Sequence, residues 1–153
     1  MSILNYRRDF LRASLAMCAS VAVPSARACE FFTSTLRITH PWTRASAPGV
    51  TSALLCMKID QVIEADRLIG VETPVANGVE LVIDGAVSRL NLPIPKGREI
   101  NLGEVGVIVR LVDLNHPLLI ARTYPLALVF EKSGKVDAEL NVDYMDQAPP
   151  VRG

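Results

Sequence analysis

Gly103-Glu104-Val105-Gly106-Val107-Ile108-Val109-Arg110-Leu111-Val112-Asp113-Leu114-Asn115-His116-Pro117-Leu118 is the stretch on which the fold turns. From Val107 onward its side chains alternate. Val107, Val109 and Leu111 project to one side while Ile108, Arg110 and Val112 project to the other, the two-residue period of a β-strand. One side is uniformly apolar and faces a core. The other sets a single arginine between branched aliphatics, an unusual composition for either a solvent face or a buried one. Glycines and an acid precede the run, and Asn115-His116-Pro117 closes it with turn-forming residues.

The same period recurs on both sides of this strand. Ser52 to Ile59 places Ala53, Leu55, Met57 and Ile59 on one face and Ser52, Leu54, Cys56 and Lys58 on the other. Ala65 to Glu72 and Val79 to Ile83 read as the next two strands, and Asp84-Gly85 is a hairpin signal. Arg89 to Pro95 holds two prolines and is read as an edge strand or loop. Glu99 to Leu102, Leu126 to Phe130 and Val136 to Val142 complete the set, the last two joined through Ser133-Gly134. Upstream, Leu36 to Thr39 is a short strand that His40-Pro41-Trp42-Thr43-Arg44 turns into a loop containing Pro48-Gly49. Many short strands, turns every roughly 8–12 residues and no helical period in residues 29–145 define an all-β chain, an antiparallel β-sandwich.

Composition bounds the function. Half of the 153 residues are apolar, enough to bury a core, and 16 basic residues balance 16 acidic ones. No basic cluster lies beyond residue 28, which argues against nucleic acid or an anionic membrane as partner. Residues 1–28 read as an export signal. Arg7-Arg8-Asp9-Phe10-Leu11-Arg12 has the twin-arginine pattern, a largely apolar run from Ala13 to Val23 follows, and Ala26-Arg27-Ala28 suits cleavage. That run is too short to span ~30 Å of hydrocarbon. The expected location is therefore the periplasm, with a mature domain over 29–145 and a disordered tail over 146–153. Acylation at Cys29 is a less fitting alternative, because Ala26-Arg27-Ala28 is a poor lipobox. Cys29 and Cys56 remain after cleavage, free to bridge or not.

Taken in order, these elements resemble the periplasmic PCu(A)C copper chaperones from about Leu36 to Val142. Trp42-Thr43-Arg44 with Pro48-Gly49 is similar to that family's opening motif. Asp66-Arg67-Leu68, Pro74-Val75-Ala76, Ile94-Pro95-Lys96-Gly97 and the closing hairpin of Leu126 to Glu131 with Gly134 match further elements. The resemblance implies a cupredoxin-like Greek-key sandwich, and copper bound by two His and two Met. Anchored on Pro117-Leu118, it sets Ile108 and Arg110 where the family has His and Met, and Val82 where it has the other His. Ala86 to Leu92 contains no Met. Soft thioethers and imidazoles suit copper; valine, isoleucine and arginine do not.

His40, His116, Met57 and Met145 fall on none of those positions. Met57 reads as core packing, and the two histidines as turn residues. The resemblance implies copper, whereas the residues imply no cofactor. Arg110 adds a positive charge at the place a cation would occupy, unless an acid such as Glu80 pairs with it. Val82, Ile108 and Arg110 thus form a candidate interaction patch for a periplasmic protein or a small ligand. The alternative is that loops cover them and they merely stabilise the sandwich. No Ser-His-Asp arrangement, phosphate loop, His-x-x-x-His or Cys-x-x-Cys pattern supports an enzyme.

Overall fold

The computed structural model describes residues 29–143. The export signal expected over residues 1–28 and the tail over 146–153 lie outside them. Eleven strands run in the order β1 (Glu30–Phe32), β2 (Arg37–Arg44), β3 (Ser52–Asp60), β4 (Asp66–Glu72), β5 (Ala76–Ile83), β6 (Ala86–Ser88), β7 (Leu92–Ile94), β8 (Ile100–Leu102), β9 (Val107–Leu114), β10 (Thr123–Phe130) and β11 (Gly134–Asp143). Hydrogen bonding links them as β6-β5-β9-β3-β2-β11-β10-β4-β7, with β1 added to β2 and β8 to β3. This curled sheet folds over its own apolar face. Leu55, Ile59, Val109, Leu111, Leu128, Phe130 and Leu140 meet in one continuous core.

β3 is the corner. Its first half, Ser52 to Leu55, pairs with β9, while Met57 to Ile59 pairs with β8 and the whole strand backs onto β2. A strand shared in this way needs apolar residues on its inner face along its full length, which Leu55, Met57 and Ile59 supply. Every pairing is antiparallel except that of β11 with β2, where Asn141 to Asp143 run alongside Trp42 to Arg44 in parallel.

The expectation of a loop at His40-Pro41 is corrected. β2 continues through them to Arg44, because the bulge is local. His40 takes a positive φ of 47° and the β2–β3 register shifts between Thr39 and Trp42, so one extra stretch of chain is absorbed without ending the strand. The Asp84-Gly85 turn behaves as its sequence implies. Both residues have positive φ, 50° and 78°, the backbone that two-residue hairpin loops demand. β7 is a three-residue strand at the end of the sheet order, where Pro93 leaves no ladder hydrogen bond unmade.

Buried polar groups are anchored at two places. Asp60 receives Arg37 Nε and a terminal guanidinium nitrogen, both at 2.7 Å. Asp66 lies at the start of β4 and accepts from the backbone of Arg67, Lys132 and Ser133 and from the Ser133 hydroxyl. Burial pushes its carboxyl upward, but these donors outweigh that and hold it below its ordinary range. The β10–β11 turn is thereby fastened to β4.

Candidate functional site

The site is built on the outer face of β5 and β9. In that antiparallel ladder Val82 stands directly opposite Ile108, and Glu80 opposite Arg110. Directly opposed residues share a face and touch. Val87 of β6 is paired with Val82, so Val87, Val82 and Ile108 form an apolar row across three strands. Its exposure is uneven, because Val87 is 54% exposed and Val82 only 9%. The patch expected at the surface is therefore carried by Val87 and the half-buried Ile108, with Val82 beneath them.

Arg110 occupies the next rung. Its Nε and a terminal nitrogen donate to Glu80 Oε2 at 3.1 and 2.7 Å, and Leu54 of β3 flanks it on the other side. This pairing modifies the electrostatic argument from sequence. Glu80 offsets the guanidinium charge, so repulsion of a cation is weaker than an unpaired arginine would give. Donor chemistry decides instead. Valine and isoleucine have no lone pair, and a protonated guanidinium has none to offer. These residues do not fit copper.

The other candidate donors are dispersed among separate environments. Met57 is buried in the core. His116 is exposed in the β9–β10 loop, its Nδ1 2.8 Å from the Pro117 carbonyl and its ring against Tyr124. His40 Nε2 lies 2.6 Å from Asp143 Oδ2. Among the described residues no group of three or more His, Cys, Asp or Glu side chains is placed to hold a metal ion. Cys29 and Cys56 are both free. Cys56 is buried, and burial, with Glu104 nearby, pushes its thiol up to about 11, so it stays protonated at neutral pH.

A second feature, which the strand pattern does not reveal, adjoins this face. The β2–β3 loop folds back over the outer side of β3 and encloses a cavity of about 230 Å³. Ser46 holds the loop in place, its backbone N–H donating to the Leu118 carbonyl and its Oγ accepting from the Leu118 N–H. Arg44 and Glu104 join across the rim in a bidentate ion pair, and the Arg44 hydrogen bond holds the Glu104 carboxyl below its usual range. Only the closed loop creates this space, which is why sequence alternation misses it.

A corner strand shared by two layers, one parallel β2–β11 pair and an outer face built from β5 and β9 define the class: a PCuAC-type copper-chaperone domain. The chain is similar to the copper-bound PCuAC domain from PmoF2, at 30% identity and a TM-score of 0.68, covering 74% of this chain and 97% of that one. It is also similar to the apo PCuAC domain from PmoF1, at 26% identity and a TM-score of 0.67, covering 74% and 98%. CuI-DR1885 from Deinococcus radiodurans shares the fold, at 20% identity and a TM-score of 0.60, over 78% of this chain and 83% of that one. No curated protein matches the sequence significantly. Residues 36–142 match the LpqE-like lipoprotein family, and the chain belongs to it.

Proposed function

We propose that this protein is an exported, non-enzymatic binding or accessory module of the periplasm that keeps the PCuAC sandwich and has given up the family's copper site. One observation carries the reading. Val82 and Ile108 face each other, with the Arg110–Glu80 pair on the next rung, and none of these groups coordinates soft metal. Function resides in the site rather than the scaffold. The apolar row of Val87, Val82 and Ile108 is the contact surface in this reading, engaging a periplasmic protein or a small ligand.

Anaerobic Cu(I) titration of the chain from Cys29 onward, against a competing chelator, tests it. The expected result is no stoichiometric binding in the submicromolar range; such binding overturns the proposal. Ile108→Asp tests the surface separately. A variant that folds with unchanged stability and retains every partner sinks the interface.

The second reading is a working periplasmic copper chaperone that uses a relocated site or shares one with a neighbouring chain. The 30% identity to a copper-bound PCuAC domain favours it. A bound Cu(I) whose ligands map to His40, His116 or Met145 by NMR is its expected signature.

A further inference from the structure

We propose that the cavity over the outer face of β3 is a binding site for an uncharged small molecule of single-ring size bearing one hydroxyl group, phenol being the simplest example. The proposal does not depend on the fate of the copper position.

Size sets the first limit. An apolar cavity of about 150 Å³ admits benzene, and this one measures about 230 Å³. A single ring with one substituent fits that space. The small apolar residues Ala45, Ala47, Val50 and Leu54 account for much of the wall, which favours a compact apolar body.

Charge sets the second. Arg44 and Glu104 neutralise each other at the rim, and an ionic ligand would have to part them or bury a charge of its own. The Cys56 thiol inside is protonated and therefore also neutral. Nothing in the lining compensates a buried charge.

The third is a specific polar group. Thr43 lines the cavity and is fully buried, yet its Oγ1 has no hydrogen-bond partner in the protein. A buried hydroxyl left unpaired is costly and is rare in folded proteins. Cys56, also buried, lines the cavity with Thr43, so the two residues shut off from solvent mark its inner end. A ligand hydroxyl reaching that end pairs with Thr43 Oγ1 as its apolar body fills the remainder.

The experiment is an NMR titration of the 15N-labelled protein with phenol and, in parallel, toluene. Saturable shifts confined to amides around Thr43 to Ala47, Ser52 to Cys56 and Glu104 are expected with phenol, at a Kd below about 1 mM. Thr43→Val, which keeps the shape and removes the hydroxyl, is expected to weaken phenol roughly fivefold or more and to leave toluene unchanged. Ala47→Trp, on the exposed loop, is expected to block both ligands without threatening the core. Shifts that do not saturate, shifts centred elsewhere, or a phenol affinity that Thr43→Val leaves intact would each overturn the proposal.

Discussion

Arg110 and Glu80 replace chemistry with a simple ion pair, and the ladder register makes that replacement reversible. Val82 and Ile108 are opposed on the same rung, and Arg110 lies one rung along on the same face. Two imidazoles and a thioether at these places would converge within the reach of a Cu(I) ion. The triple substitution Val82→His, Ile108→His, Arg110→Met is therefore expected to bind one Cu(I) in the submicromolar range where the parent does not, measured by chelator competition. Failure of a folded triple variant to bind would mean that the register does not bring the three side chains together. At this scale the sequence was informative in part. The resemblance located the three positions, but the Val87 contribution and the cover over Val82 depend on the β5–β6 hairpin, and no single-residue pattern encodes that. The unpaired Thr43 hydroxyl was equally hidden, because its burial follows from a loop closing in space.

Asp60 gives a pH-dependent test at the same scale. Hydrogen bonds from Arg37, opposed by burial and supported by Lys58, bring its pKa from 3.8 to about 2. A depressed carboxyl contributes stability that is present above its unfolded value and lost as pH falls through the folded one. Asp60→Asn is thus expected to cost about 1–3 kcal/mol at pH 7, the range for hydrogen bonds to charged groups. The gap between variant and parent should narrow below pH 3.8 and close near pH 2. Urea denaturation across that range checks it, and a gap independent of pH would remove the ion pair from the explanation.

The elements were read with uneven success, for physical reasons. β3, β9 and β11 have a buried face and an exposed face, so their alternation is written in their composition. β2 is different. Its bulge at His40 interrupts the period, and its partner β11 lies about a hundred positions away, so neither the continuation through Pro41 nor the parallel seam was legible from local pattern. Gly78 of β5 shows what the packing between elements adds. It faces Val112 across the ladder, and a Cβ there would come within 2.9 Å of Val112 Cγ2. Gly78→Ala is expected to destabilise the protein by about 1–3 kcal/mol through overpacking. Val112→Ala in the same chain should recover a substantial part of that loss. A double-mutant cycle with no coupling between the two sites would show that β9 relaxes away freely.

For the whole molecule, the decisive feature is that β3 belongs to both layers. Its first half carries β9, and with it β5 and β6, while its second half carries β8 and the strand as a whole holds β2 and, through it, β11, β10 and β4. Separating the layers would expose Leu55 and Ile59 together with Val109 and Leu111, which are all fully buried in one cluster. No subset of strands retains a covered core. The described domain is therefore expected to unfold in a single cooperative step. Trp42, the sole tryptophan, lies on β2 and reports one layer by fluorescence, and the amide signals of Val82 and Ile108 report the other by NMR. Their urea transitions should coincide in midpoint and slope. Earlier loss of the Val82 and Ile108 signals would show that β5 and β9 form a separable unit, and would make the outer face a mobile flap rather than a rigid surface.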